Sequence, residues 1–346
     1  MVQIKEKKRH TILFASLGAL TILLFAADIM SGSVLIPVGS ALKALFSMNV
    51  DVAVKTIVVD FRLPKAVTAI LTGMALSVSG LQMQTVFRNP LAGPYVLGIS
   101  AGASLGVAIF AMGFSSVFAM DVFSHGGAWP LALVAWLGAF LVMLLVLFVS
   151  ARVNDNMTIL ILGILFSSAA TAIVSILQYF SSESMLKSFI VWTMGSLGSV
   201  TVNQLTVLAP ATLLGILVAF AKVKDLDAFL LGENYVRSLG VNITISRLAI
   251  FFSSSLLAGT ITAFCGPIGF VGIAAPHLAR VAFRSASHLV LIPAVLLIGA
   301  AVMLLSDIIA QLPGMKATLP INSVTALLGI PVVVWMIVKN RKFSGI

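Results

Sequence analysis

The chain has 346 residues, of which 60% are hydrophobic and only 9% charged, and its formal net charge at pH 7 is +10. An ordinary soluble domain carries about 25% charged residues, so this composition excludes a water-soluble globular protein and makes lipid the main solvent. Only helices and closed barrels satisfy every backbone hydrogen bond in lipid. Long apolar runs without alternation, such as LALVAWLGAFLVMLLVLFV (131–149), favour helices over barrel strands.

Taken in chain order, the apolar runs predict ten membrane spans in a single transmembrane domain covering 1–346. Their approximate limits are 11–30, 66–87, 93–113, 128–150, 157–179, 200–221, 247–265, 268–281, 291–311 and 321–338. The first run is longer than the ~7–15 apolar residues of a signal peptide core, so we interpret it as a retained span. The eighth is short for a crossing, which needs roughly 17–25 residues, and requires the preceding GPIGF turn (266–270) to lie inside the protein.

Two long connections separate the spans. The segment 31–65 is predicted to be partly helical and amphipathic. The connection at about 222–246 combines acidic and basic residues with apolar positions, which predicts a pair of short amphipathic helices that dock on another protein. A solvated connector is the alternative interpretation of this loop.

The distribution of basic residues predicts the orientation of the chain. Ten spans place both termini on one side of the membrane, and positive residues concentrate on the cytoplasmic side. Six of the 21 basic residues lie on the side opposite the termini, which leaves 15 on the side of the termini. Both termini are therefore predicted to be cytoplasmic, and the positive net charge requires no nucleic-acid partner.

The sequence shows no catalytic or nucleotide-binding motif. It contains no HExxH, GxSxG or GxxxxGK[ST] pattern, and no two of its histidines lie four residues apart on one helix. The single cysteine, Cys265, excludes an internal disulfide. Asp307 is interpreted as the only clear acid within a span, with a structural role. This pattern favours a transport conduit driven by a separate ATPase. A gradient-driven secondary transporter and a membrane subunit without transport activity are the alternatives.

Four segments resemble a known family in the family's own order. They are RLPKAVTAILTGMALSVSGLQMQTVFRNPLAGPYVLGISAGASLG (62–106), LGENYVRSLGV (231–241), GPIGFVGIAAPHLAR (266–280) and LPINSVTALLGIPVVVW (319–335). Together they resemble the signature of the FecCD/BtuC family, the permease subunits of type II ABC importers for iron–siderophore complexes, haem and vitamin B12. The resemblance implies an all-α polytopic fold of the BtuC type in the bacterial cytoplasmic (inner) membrane.

The resemblance also implies the partners and the cargo. A second copy of the chain would form a homodimer within the membrane lipid. Two ATPase subunits would bind ATP and Mg²⁺ on the cytoplasmic side, while this chain holds no cofactor and catalyses no reaction itself. A periplasmic or lipoprotein binding protein would deliver a metal chelate from outside. Iron–siderophore or haem is the first expectation for that chelate and cobalamin the second.

Residue by residue, the resemblance assigns three groups of candidate sites. Binding-protein docking falls on Arg62, Lys65 and Gln311, where Lys65 lacks the guanidinium fork and Gln311 lacks the charge found in the family motif. ATPase coupling falls within 229–245 on Gly232, Glu233, Asn234, Leu239 and Gly240, together with His277 and Arg280 at the end of the eighth span. The translocation path and inner gate fall on Asn89, Leu91, Asn154, Asp155, Asn156, Ser167, Ser168, Thr171, Ser175 and Gln178.

Two qualifications accompany these assignments. The hydroxyl groups of the fifth span could instead join neighbouring helices, as is common in membrane proteins. The family's DHR motif after the eighth span is degraded to ASH (286–288). His277 is interpreted as a structural or ATPase-contacting residue, because a lone histidine is a poor metal site.

Overall fold

The structure, a computed structural model, describes residues 2–32, 34, 36–46, 50–114, 128–150, 152, 156–238, 240, 242–311 and 318–341. Over these residues all regular elements are helical. The first half contains α1 (Val2–Met30), α2 (Val38–Leu45), α3 (Val52–Lys55), α4 (Leu63–Val86), α5 (Ile99–Ala108), α6 (Ala128–Ser150) and α7 (Asn156–Phe180). The second half contains α8 (Glu183–Thr193), α9 (Val202–Ala221), α10 (Val223–Leu231), α11 (Glu233–Ser238), α12 (Ile243–Cys265), α13 (Val271–Phe283), α14 (His288–Gln311) and α15 (Ile321–Arg341).

The predicted ten spans are matched by ten apolar helices in the described part of the chain. Seven are long and apolar enough to cross a membrane: Glu6–Met30, Val52–Val86, Trp129–Val149, Met157–Phe180, Val202–Ala221, Ile243–Cys265 and His288–Gln311. Three shorter ones, Ile99–Gly113, Val271–Phe283 and Ile321–Met336, fall on the third, eighth and tenth predicted spans. The prediction of an all-α polytopic fold is confirmed.

The second span begins earlier than its apolar run indicates. A π-helical turn over Thr56–Arg62 joins α3 to α4, so one continuous helix starts at Val52. Pro64, which cannot donate a backbone hydrogen bond, lies directly after this turn and is buried. π-helical turns are a common place for a long helix to absorb such an interruption.

The starts of two later helices follow from local capping. Thr201 and Gln204 form a capping box at α9, since Thr201 N donates to Gln204 Oε1 at 2.9 Å and Gln204 N donates back to Thr201 Oγ1 at 3.4 Å. At α12, the Asn242 side chain accepts the backbone N–H of Ile245 at 3.1 Å. The predicted helix pair of 222–246 is present as α10 and α11, which lie between these two spans.

Helix α4 lies at the centre of the bundle and packs on α12, α13 and α14. Glycines make this packing possible: Gly73 faces the backbone of Gly299 on α14, and Gly80 faces Gly272 on α13. A Cβ atom added to Gly80 would lie 2.8 Å from the Gly272 Cα atom. Small residues at crossing points allow membrane helices to approach this closely.

The GPIGF turn between α12 and α13 is held by contacts from three other parts of the chain. Ser196 N donates to Cys265 O at 2.8 Å, Gly269 N donates to Asn322 Oδ1 at 2.9 Å, and Tyr95 hydrogen-bonds the backbone of Ile268. Polar backbone groups of the turn thus find partners within the protein, which favours a path of the chain from α12 to α13 inside a membrane.

Candidate functional site

The residues predicted for binding-protein docking lie together where α1 and α14 end and α4 begins. We call Asp28, Lys65, Asp307 and Gln311 the outer cluster. Lys65 Nζ lies 2.9 Å from Asp307 Oδ2, and Gln311 Nε2 donates to both Asp28 Oδ1 and Asp307 Oδ2 at 2.9 Å. The cluster holds three helices together with two carboxylates, one ammonium group and one amide.

Asp28 corrects the sequence interpretation of the intramembrane acids. It lies inside the first predicted span and is 1% exposed, so Asp307 is not the only acid within the spans. Acidic side chains buried in such segments need polar partners, and Gln311 supplies one to Asp28. The clue in the sequence was its place near the end of an apolar run, where a free acid would be costly.

Arg62 has a different environment from the other two predicted docking residues. Its Nη1 atom donates to the carbonyl groups of Ile29 at 3.0 Å and Met30 at 2.9 Å, and Nη2 donates to the carbonyl of Val34. The side chain is 6% exposed. Arg62 thus caps the end of α1, where carbonyl groups lack partners in the helix.

A cleft opens beside the outer cluster. Its volume is about 320 Å³, and Lys65, Asp307 and Gln311 line it together with the α8–α9 connection at Gly195 and with Thr318. An incoming side chain in this cleft would meet the ion pair of Lys65 and Asp307 directly.

At the opposite end of the bundle, α10 and α11 form what we call the inner helix pair. The chain turns between them at Gly232, whose φ of +108° suits glycine. Arg88, which follows α4, donates from Nη2 to the carbonyl of Leu230 at 2.9 Å. Asp225 pairs with Lys222 Nζ at 2.9 Å and accepts the Ser246 hydroxyl at 2.7 Å, which ties α10 to α12.

One polar network at this end was not predicted. Asp227 on α10 contacts His288 at the start of α14, and His288 contacts Thr85 near the end of α4. The sequence shows no spacing signal for it, because the three residues are far apart in the chain. The placement of Asp227 among buried positions of a short helix was the available clue.

His277 and Arg280 of α13 both contact groups of this chain. His277 Nε2 lies 2.7 Å from the carbonyl of Pro90, and Arg280 Nη1 donates to Gln84 Oε1 at 2.5 Å. The loop after α4, which contains the predicted gate residues Asn89 and Leu91, is therefore held by α13. Within that loop the Asn89 side chain accepts the backbone N–H of Leu91 at 2.9 Å.

The predicted path residues of α7 line an open groove of about 660 Å³ together with Tyr95, Ile164 and Ala172. They are Ser167, Ser168, Thr171 and Ser175. Each hydroxyl donates to the backbone carbonyl four residues earlier, at 2.8 to 3.0 Å. Among the described residues these hydroxyl groups bond no other helix of this chain.

Several other residues predicted for the path or for ATPase coupling are not part of these sites as the structure describes them. Gln178 lies further along α7 and is not part of the groove lining. Asn154, Asp155 and Leu239 lie outside the described residues, as do the side chains of Asn156, Glu233 and Asn234. Gly240 follows α11 with a φ of +74°.

A bundle of apolar helices long enough to cross a lipid bilayer defines a polytopic membrane protein. Residues 20–339 match the model of the FecCD transport family, and the chain belongs to this family. The resemblance of the four motifs is thus confirmed.

Three known proteins illustrate the similarity. The hemin transport system permease protein HmuU of Yersinia pestis is 33% identical over 87% of this chain and 88% of its own length. The vitamin B12 import system permease protein BtuC of Klebsiella pneumoniae is 34% identical over 82% of both chains. A solved inward-facing ABC transporter assigned to the metal-chelate type superposes with a TM-score of 0.82 and 28% identity over 95% of this chain and 99% of that one. The chain is therefore a transporter permease subunit.

Proposed function

We propose that the chain is the membrane conduit of an ATP-driven importer that carries a metal chelate into the bacterial cytoplasm. Iron–siderophore or haem is the first candidate and cobalamin the second. Relatives named for hemin and vitamin B12 transport and a metal-chelate structural neighbour support this cargo class.

The α7 groove carries the proposal. Among the described residues its lining contains hydroxyl and apolar side chains and no charged group. Such a surface suits a bulky chelate whose metal charge is shielded by its own ligand, because it offers weak polar contacts without trapping the cargo. Ion-coupled carriers, in contrast, place ionisable residues along their path.

A homodimer would complete the path. The groove face of α7 is uncovered in the single chain, with Ile164 50% exposed and Ser168, Thr171 and Ser175 also exposed. The face of α15 that carries Leu327 and Val334 is also exposed. A second copy placed against these faces would close the groove into a channel and remove apolar surface from contact with cargo.

The decisive experiment reconstitutes the permease with its ATPase and binding protein in proteoliposomes. Haem, a ferric siderophore and cobalamin are offered in turn, and ATP hydrolysis and uptake are measured. One chelate is expected to stimulate both. Uptake against a gradient by this chain alone would instead establish the gradient-driven alternative.

Docking of the binding protein is proposed at the cleft beside the outer cluster. Lys65 would exchange its partner Asp307 for an acidic side chain of the binding protein, while Gln311 contacts the same cleft. Arg62 would support this surface from below through its three carbonyl contacts.

Replacing Lys65→Glu is expected to lower the affinity for the binding protein at least about tenfold, because a like charge then faces the incoming acid. Lys43→Glu, on exposed α2, serves as the charge-matched control and should bind normally. Asp307→Asn breaks the same internal ion pair without reversing the charge and should also bind. Equal binding by Lys65→Glu and Lys43→Glu would refute the docking site.

Contact with the ATPase is proposed for the inner helix pair. Leu231 is 63% exposed and Tyr235 47% exposed at its tip, which provides apolar surface for a partner cleft. ATP and Mg²⁺ would bind to that partner. Retained pull-down of the ATPase after replacement of 229–245 by a flexible linker would exclude this role.

A further inference from the structure

The network of Asp227, His288 and Thr85 links the inner helix pair to two central helices. Asp227 Oδ1 accepts the backbone N–H of His288 at 2.8 Å and lies 2.6 Å from its Nδ1 atom. The Ser287 hydroxyl donates to the other carboxylate oxygen at 3.4 Å. On the far side of the ring, His288 Nε2 lies 2.8 Å from Thr85 Oγ1. One carboxylate of α10 thus holds the start of α14 and, through the imidazole, the end of α4.

Hydrogen-bond counting shows that the donor and acceptor roles within the network depend on one another. Thr85 Oγ1 donates to the carbonyl of Leu81 at 2.9 Å, and a hydroxyl group has a single proton to donate. The Thr85 proton therefore cannot serve both Leu81 and His288 Nε2. A neutral ring that donates from Nδ1 to Asp227 accepts the Thr85 proton at Nε2, whereas a doubly protonated ring leaves that proton to Leu81. The hydrogen-bond roles of Thr85 and His288 are thus linked.

The network joins a partly exposed residue of the inner helix pair to a buried residue of the central bundle. His288 is completely buried, whereas the Asp227 side chain is 36% exposed. Helix α10 also packs on α4 and α14 through buried apolar residues such as Leu226 and Phe229, and the Asp227 carboxylate adds a direct polar contact from α10 to the buried ring. Asp225, two residues earlier on α10, contacts α12 instead.

The same two central helices meet again at their other ends. Lys65 near the start of α4 pairs with Asp307 near the end of α14, while Thr85 and His288 join them at the inner end. Between these ends, Gly73 and Gly299 bring the two backbones into contact. A helix of about 20 residues spans roughly 30 Å, so the pair forms a strut across the bundle that is fastened at both ends.

We propose that Asp227, His288 and Thr85 transmit movement of the inner helix pair to the strut of α4 and α14, and thereby to the cleft at the outer cluster. His288 is completely buried, so its role in this proposal is that of a positioning residue. The inference rests on the proposed contact between the inner helix pair and the ATPase.

The test measures the outer cleft while the ATPase changes state. Thr318→Cys, an exposed position lining the cleft, is introduced in a Cys265→Ala background, which removes the only native thiol. The labelling rate of this thiol by a charged methanethiosulfonate reagent is compared between the nucleotide-free complex and the complex trapped with ATP and vanadate. In this parent complex, trapping is expected to change the rate.

Asp227→Ala and Thr85→Val are each expected to reduce that change about tenfold, a typical size for coupling between distant sites. Thr85→Ser restores the hydroxyl and should restore the change. Asp225→Ala, which removes the other carboxylate of α10, should keep it. If Asp227→Ala does not assemble, the comparison of Thr85→Val with Thr85→Ser decides.

Two outcomes overturn the link and leave the proposed function standing. One is a parent complex that hydrolyses ATP without any change at Thr318→Cys. The other is a change in labelling rate on trapping that is as large in both Asp227→Ala and Thr85→Val as in the parent complex. Failure of the chain to bind an ATPase at all is a different result, since it overturns the proposed function itself.

Discussion

Helices α4 and α7 both carry rows of hydroxyl and amide side chains, but among the described residues several of those in α4 bond other helices, whereas the groove hydroxyl groups of α7 do not. In α4, Ser79 bonds Ser254 at 2.5 Å and Gln82 bonds Ser253 at 3.0 Å. In α7 the four groove hydroxyl groups bond their own helix backbone. In the helix that contains α4, 83% of the most apolar stretch is buried inside the protein. In α7 the corresponding share is 22%.

The difference shows that the role of polar residues in a membrane helix depends on whether neighbouring helices pack over them. A hydroxyl group bonded to another helix is committed to holding the bundle together. One that bonds its own backbone is already satisfied and can still accept a hydrogen bond from passing cargo. Substitutions in α4 should therefore affect stability, and substitutions in α7 should affect transport.

The largest effect is expected from Gly80→Ala in α4. The new methyl group would overlap the backbone of Gly272, which cannot move aside like a flexible side chain, and should cost about 3 kcal/mol or more of folding free energy. Thermal unfolding of the purified permease, followed by size-exclusion fluorescence, measures it. Gly259→Ala is the matched control, because its methyl group would lie an ordinary 3.4 Å from Ala139. Equal stability of the two variants would contradict the close packing of α4.

A smaller effect, on a different property, is expected from the combined change Ser167→Ala, Ser168→Ala, Thr171→Val and Ser175→Ala in α7. Removing bonds within one exposed helix should leave the unfolding temperature nearly unchanged. Loss of the polar groove surface should lower chelate uptake about tenfold, equivalent to about 1.4 kcal/mol. Uptake in proteoliposomes and the unfolding temperature are measured on the same preparation. A variant that is destabilised and transports in proportion to its folded fraction would mean that these hydroxyl groups are structural.

The smallest effect is expected from Gln82→Leu in α4. It removes the bond to Ser253, whose hydroxyl keeps its bond to the carbonyl of Gly215 at 2.7 Å. Interhelical hydrogen bonds in membrane proteins contribute about 0.6 kcal/mol on average, so a loss of this size is expected in the unfolding equilibrium. Uptake per folded molecule should stay unchanged, and a selective loss of uptake would place α4 on the path.

The spans and the family were predictable because their signals are local. Apolar runs mark helices regardless of what they pack against, and four motifs in order identify a family. The start of the second span at Val52 was missed because Asp60, Arg62 and Lys65 interrupt the apolar run, although the helix continues through them. The free-energy cost of placing charged side chains in this helix is offset by partners such as the carbonyl groups at the end of α1, which bond Arg62. No local sequence pattern reveals these partners.

The same reason explains the unpredicted parts of the site. Asp28 pairs with Gln311 across 283 residues, and Asp227 pairs with His288 across 61. A single sequence shows which residues are present but not which distant residues lie close together in the folded protein. The ASH stretch was interpreted as a degraded motif, yet its histidine lies at the centre of the inner network. For α7, the sequence left path and interhelical bonding open, because which groups surround the hydroxyl side chains depends on helices distant in the chain.

The GPIGF turn constrains the order in which the protein can be completed during synthesis. The Gly269 N–H group depends on Asn322, which leaves the ribosome 53 residues later. At roughly 5–20 residues per second this is a delay of about 3 to 10 s, and an unpaired backbone group in lipid costs several kcal/mol. Until Asn322 has been made, the turn between the seventh and eighth spans lacks this partner, and a chain truncated before Asn322 lacks the acceptor that closes the turn.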